Sequence, residues 1–189
     1  MVPLLSAFLQ RQRRKAVSPY VAGDVLDLGC GVTDIWTLLR PDQHYVGVEG
    51  HAGMLRWLRE NRPGYEFHQR DLDKDELALE RQFDTILMLA VIEHLKEPDR
   101  ILAQIPRYLK PNGKLLITTP SPWGDVIHRT GARIGLFYMD AVRQHQTIFT
   151  YDGLRARLER NGLKIIYYHS FLLGGNQLFV CQLPAGCEQ

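Results

Sequence analysis

Cysteine is scarce: three in 189 residues, at Cys30, Cys181 and Cys187. An odd number without metal-ligand spacing argues against a disulfide framework or a cysteine-built metal site, and predicts reduced thiols in a cytoplasmic setting. Long apolar runs are missing as well; none approaches the roughly 20 residues that span a bilayer. The start of the chain has no charged segment ahead of its apolar stretch and no small-residue cleavage site, so it reads as unsecreted. An excess of one charge is also absent. Twenty-three Lys and Arg against 21 Asp and Glu leave a net charge of +2, and the basic residues are spread along the chain, so no nucleic-acid partner is expected. The length suits one domain over residues 1–189, because a chain of this size buries about two-thirds of its unfolded surface in a single core.

What is present centres on DVLDLGCGVT, Asp24 to Thr33. Val25, Leu26 and Leu28 form the apolar body of a short strand, and Gly29 and Gly31 follow where a parallel strand must turn sharply. A helix is expected from Asp34, carrying Ile35, Trp36, Leu38 and Leu39 and stopping before Pro41. A dinucleotide fingerprint needs a third glycine five positions after the first, and a helix N-terminus open to pyrophosphate. Asp34 occupies that place. Its carboxylate repels a pyrophosphate, whereas a ligand with a positive centre and no phosphate tolerates acids on both sides of the turn.

These residues resemble the class I S-adenosylmethionine-dependent methyltransferases, whose first motif reads DLGCGxG in the broad small-molecule group; Thr33 departs from its last glycine. The resemblance runs from about Gly23 to the end of the chain. Glu49 ends a second strand, Tyr45 to Val48, twenty-two positions after Asp27, where an acid accepts from both ribose hydroxyls. A third strand near Tyr65 to Phe67 leads to Asp71, where the family places the acid that accepts from the adenine amino group. FDTILMLAV, Phe83 to Val91, reads as a central strand buried on both faces, and Glu93, His94 and Leu95 supply the EHL that the family often shows next. PNGKLLIT resembles its usual turn into a fifth strand, Lys114 to Thr119. Tyr151 to Asn161 reads as an amphipathic helix, and Leu163 to His169 and Gln177 to Leu183 as the last two strands.

The resemblance implies an α/β fold: a Rossmann-like three-layer sandwich around a seven-stranded, mostly parallel sheet, order 3-2-1-4-5-7-6 with strand 7 antiparallel. S-adenosyl-L-methionine is the implied cofactor, held by Asp27, Gly29, Cys30, Gly31, Glu49, Gly50, Asp71, Leu72 and Leu89. The N-terminal 1–22 segment contains an expected helix, Pro3 to Ala16, with Leu4, Leu5, Phe8 and Leu9 on one side and Arg11, Arg13, Arg14 and Lys15 beyond. Such a helix covers the cofactor end of the sheet in this fold by default, with contact to a membrane surface the less favoured reading.

Methyl transfer from a sulfonium is an in-line displacement that depends mainly on alignment and exclusion of water. For a hydroxyl acceptor a base helps, and His94 is the first candidate, since the end of the fourth strand faces the transferred methyl in this fold. His145 is the second, in HQTIFT, which resembles the His-x-x-x-Phe-Thr segment beside the substrate pocket of many relatives. Some related O-methyltransferases bind a divalent metal through a Glu-x-x-Glu-His run. Here Ala90 replaces the first carboxylate, and no metal is expected. Residues 121–146 read as an acceptor lid, mixing Trp123, Phe137, Tyr138 and Met139 with Arg129, Arg133 and Arg143. The expected activity is methylation of a small-molecule, lipid-linked or sugar-linked acceptor, with oxygen favoured. A cofactor-binding sensor or partner subunit is the alternative, and an NAD-dependent oxidoreductase a weaker one.

Overall fold

A computed structural model of the chain describes residues 4–32, 34–124 and 147–184. Seven strands form one sheet in the order β3-β2-β1-β4-β5-β7-β6: β1 Val25–Leu28, β2 Tyr45–Glu49, β3 Glu66–Gln69, β4 Phe83–Leu89, β5 Leu109–Pro120, β6 Lys164–Phe171 and β7 Asn176–Gln182. The first five are parallel, and β7 runs antiparallel to both β5 and β6, as expected.

The central strands are apolar on both faces because helices cover both. On one side α3 (Pro98–Leu102), α4 (Ile105–Tyr108) and α5 (Tyr151–Arg160) seat Ile101, Leu102, Ile105, Tyr108, Leu154 and Leu158 among Leu26, Val46, Ile86, Leu115 and Phe179. On the other, Val17 of α1 (Leu4–Val17) and Leu55 and Leu58 of α2 (Ala52–Asn61) pack with Val25, Leu87, Leu116, Leu178 and Val180. Alternation along each strand thus sorts its side chains between two cores.

The sheet is tied at the amino ends of its middle strands. Lys110 Nζ lies 2.7 Å from Asp84 Oδ2 and 3.3 Å from Asp24 Oδ2, and the Asp24 amide donates to Asp84 Oδ2 at 2.8 Å. The chain enters β1 through Gly23, whose φ of +60° suits glycine. A Cβ there would sit 2.1 Å from the Asp84 carboxylate.

Two local expectations are corrected. The segment after β1 makes only a 3-10 turn, Ile35–Leu38, in place of a helix. Its N–H groups are closed locally, with Thr37 donating to the Asp34 carbonyl from both its amide, at 3.0 Å, and its hydroxyl, at 2.7 Å. Leu39 is already extended, because buried Trp36 must face Tyr45 and Tyr65, at ring separations of 6.0 and 5.9 Å. The apolar run from Phe83 stops being strand at Leu89, since Ala90 takes φ +57° and turns the chain into a second 3-10 turn, Ile92–His94. Asn112, where the family resemblance would put glycine, has φ +63°, a left-handed conformation that asparagine tolerates well. The remaining strand and helix boundaries move by a few residues; β5 gains Leu109, paired with Phe83 before an irregularity in the register.

Candidate functional site

The carboxyl ends of β1, β2 and β4 meet beneath α1, as expected at a strand-order reversal. The turn after β1 is fixed by two bonds to the Val48 carbonyl, from the Gly29 amide at 2.8 Å and the Cys30 amide at 3.0 Å. Gly29 has φ +68°, and a Cβ on it would lie 2.7 Å from Val91. Gly47 leaves room for the same turn, since a Cβ there would come within 2.9 Å of Cys30 Sγ and 2.7 Å of Phe67.

A cleft of about 210 Å³ opens at this point, lined by Asp27, Gly29, Cys30, Gly31 and Leu89, all anticipated from the sequence, and by Val32, Asp34, Ile35 and Ala90. Its roof is α1, which contributes Gln10, Arg13 and Arg14. Those three were not assigned, because a tertiary contact from a helix twenty residues upstream leaves no motif. Arg14 crosses the mouth, pairing with Asp34 at 2.9 Å and donating to the Thr37 hydroxyl at 3.0 Å.

Asp27 is the buried acid of the cleft, 2% exposed. Burial pushes its carboxyl up to about 7 against the opposing effect of a 2.9 Å hydrogen bond donated by the Tyr45 hydroxyl, with Glu49 adding repulsion. The same surroundings raise the Cys30 thiol, chiefly by burial and then by Asp27 and Glu49, so Cys30 packs as a neutral loop residue. Arg13 is held below its ordinary value by burial, opposed by the charge of Glu93.

Glu49 braces the turn: its carboxylate accepts from the Gly31 amide at 3.1 Å and from the His51 amide at 2.8 Å. A carboxylate retains further lone pairs after two bonds. Gly50 sits against the Arg70 carbonyl, 3.3 Å from where a Cβ would be. Asp71 follows β3, and its carboxyl is held low first by a 2.7 Å bond from Lys74 and then by the Asp73 amide at 3.0 Å. Leu72 is buried in the core beside it. The structure thus lines up Asp27, Glu49 and Asp71 on successive strand ends, the first in the cleft and the others along its β2 and β3 side. His94 lies on the 3-10 turn beyond Ala90. His145, Thr33 and residues 125–146 of the expected lid lie outside the described residues, as does Cys187; Trp123, within them, is 60% exposed. Among the described residues no three His, Cys, Asp or Glu converge as metal ligands, and no helix is long and apolar enough to cross a membrane.

Residues 3–168 match the family described as "Methyltransferase domain". The chain is similar to trans-aconitate 2-methyltransferase of Azoarcus sp. (strain BH72), with 35% identity over 57% of this chain and 43% of that protein. It is also similar to malonyl-[acyl-carrier protein] O-methyltransferase of Halalkalibacterium halodurans, with 32% identity over 65% of this chain and 47% of the relative. It therefore spans about half the length of these curated relatives. Among solved structures, the glycopeptide N-methyltransferase MtfA complexed with (S)-adenosyl-L-methionine superimposes with a TM-score of 0.68, covering 93% of this chain and 94% of that one at 17% identity, a likeness of fold. With the sheet order and the acid-and-glycine turn in place, the family match decides the matter: the chain belongs to the class I S-adenosylmethionine-dependent methyltransferases.

Proposed function

We propose that the protein transfers the methyl group of S-adenosylmethionine to a small-molecule, lipid-linked or sugar-linked acceptor, with oxygen the favoured acceptor atom. The observation that carries this reading is Asp27, a buried acid in a glycine-walled cleft. An acid there suits a ligand whose end near the turn is cationic and which has no phosphate. Gly29 fits the same reading, since its missing Cβ leaves backbone exposed in space that a side chain would contest.

When bound, S-adenosylmethionine supplies an electrophilic methyl on a sulfonium. The chain's own residues bind and orient. Asp27 attracts the positive end of the ligand, and the Gly29 to Gly31 turn offers backbone to its flank. Glu49 accepts from ribose hydroxyls, Asp71 from the adenine amino group, and Leu72 and Leu89 supply apolar walls. Gln10, Arg13 and Arg14 close the cleft and exclude water, which favours a reaction that depends on alignment. His94 and His145 are the proposed proton acceptors for a hydroxyl substrate.

Calorimetric titration with S-adenosylmethionine, S-adenosylhomocysteine and NAD, with and without magnesium, tests the donor. Micromolar binding of the first two alone is expected, indifferent to magnesium. Binding of NAD, or of none of them, would overturn the reading. Glu49→Ala is expected to weaken cofactor binding by about 1–3 kcal/mol, as for loss of charge-assisted hydrogen bonds; unchanged affinity would remove Glu49 from the ribose site. His94→Ala is expected to spare cofactor affinity and slow turnover on a hydroxyl acceptor, and turnover at the wild-type level would return His94 to a structural role.

A further inference from the structure

Beyond the cofactor cleft, at the carboxyl ends of β4 and β5, lies a set of buried polar side chains with unused hydrogen-bonding capacity. Glu93 is 1% exposed, and neither carboxylate oxygen meets a hydrogen-bond donor among the described residues. Its backbone carbonyl accepts from the Thr147 amide at 3.2 Å, which holds the turn after Ala90. Thr118 is fully buried, and its hydroxyl is likewise unpartnered.

Strand alternation brings Thr118 to the cleft side of the sheet, and Glu93 follows three residues after Ala90, whose amide donates to the Thr118 carbonyl at 2.8 Å. Thr118 is paired with Leu89, which lines the cleft, and with Leu178. It lies two residues beyond Leu116, and Asn176 lies two before Leu178; Leu116 and Leu178 belong to the core under α1, so Thr118 and Asn176 share that face. Arg13 reaches the same place from the roof, donating from Nε to Asn176 Oδ1 at 3.5 Å and attracted by the charge of Glu93. The charge of Glu93 acts on Arg13, yet among the described residues its oxygens accept no hydrogen bond. A buried carboxylate without donors is costly to maintain, and such a group calls for a partner, of which a ligand donor is one kind.

We propose that Glu93 and Thr118 form the acceptor subsite, and that the acceptor carries an uncharged hydrogen-bond donor, a hydroxyl, that seats on the Glu93 carboxylate. The Glu93 carboxylate offers the donor its lone pairs, with Arg13 held alongside by its bond to Asn176. A carboxylate at this position would face Glu93 and be repelled. Glu93 acts here as a positioning and specificity residue that touches substrate; the inference rests on the methyl-transfer reading of the adjoining cleft.

The test uses the full chain saturated with S-adenosylhomocysteine and a panel of small alcohols and phenols, each matched to its methyl ether and to a carboxylate of similar size. Binding is read by ligand-observed NMR. Hits are expected among the donor-bearing members alone, and Glu93→Leu is expected to weaken them by at least about tenfold, the effect of one well-made hydrogen bond to a charged group. Two further variants guard against a folding defect. Glu93→Gln and the isosteric Thr118→Val are expected to melt at or above the wild-type temperature and to keep S-adenosylhomocysteine affinity within about threefold, while also weakening the hits. Lower melting temperatures in both would mark the two residues as structural and overturn the proposal. So would methylated or carboxylate members that bind as well as the donors, or a panel that yields no donor-bearing hit at millimolar concentration. Wild-type protein that fails to bind S-adenosylhomocysteine overturns the methyl-transfer reading itself, and the subsite with it.

Discussion

Asp27 combines two demands at one residue. Burial pushes its carboxyl from an ordinary 3.8 up to about 7, so between those values the folded chain keeps a proton that the unfolded chain has lost. Stability from this group is therefore full below about pH 4 and declines as pH rises towards 7. Above that, the ionised carboxylate is held buried, accepting from the Tyr45 hydroxyl and close to Cys30 and Glu49. Asp27→Asn keeps an acceptor for Tyr45 and removes the charge. Its melting temperature is expected to exceed that of the wild type by a margin that grows between about pH 5 and pH 8, and a pH-independent margin would show that Asp27 does not titrate in that window. Affinity of the wild type for S-adenosylmethionine is expected to fall about tenfold per pH unit below 7, because only the ionised form complements a cation. The same affinity in Asp27→Asn is expected to be weak and flat with pH.

At the scale of elements, the glycine turn and α1 act as floor and roof. Gly29→Ala would force a side chain into a left-handed conformation and against Val91, 2.7 Å away. A loss of about 1–3 kcal/mol in stability is expected on thermal unfolding, with cofactor binding abolished or severely weakened. Arg14 belongs to a different kind of contact. Its pair with Asp34 is partly exposed, at 32% and 53% for the two side chains, and contributes less than about 1 kcal/mol to folding. Its effect lies in holding α1 across the cleft mouth. Arg14→Ala is thus expected to leave the melting temperature almost unchanged while S-adenosylhomocysteine dissociates several-fold faster in stopped-flow displacement. Equal dissociation rates would mean that α1 does not restrain the ligand.

Across the whole molecule, one sheet carries the site and two cores hold the sheet. Lys110, from β5, ties Asp84 of β4 to Asp24 ahead of β1 at the end opposite the cleft. Lys110→Met is expected to lower stability by about 1 kcal/mol, since these side chains are about a quarter to two-fifths exposed, and to leave cofactor affinity untouched. A matching loss of affinity would show that the two ends of the sheet are coupled.

Much of this architecture was legible in the chain. Apolar runs such as Ile86 to Met88, within the nearly continuous stretch from Phe83, and Leu115 to Ile117 identify central strands because they are buried from both sides. Gly29 and Gly31 locate the turn because few other residues accept their conformations. The segment from Ile35 misled, since its apolar spacing suits a helix while Trp36 is drawn into an aromatic cluster with Tyr45 and Tyr65 that forms only once β2 and β3 lie side by side. Likewise Asp34 reads as an open acid, yet Arg14 neutralises it from another element.

By itself, then, the sequence determined the strand pattern, the glycine turn and the acids at the ends of β1, β2 and β3, because each depends on local conformation or on spacing along the chain. Only the tertiary structure decided that Arg13 and Arg14 roof the cleft, that the Asp27 carboxyl is buried and so pushed up, and that Glu93 and Thr118 are buried without hydrogen-bond partners among the described residues. Burial, electrostatic environment and unmet hydrogen bonds arise from groups distant in sequence, and they exist only when the sheet has brought those groups to one edge.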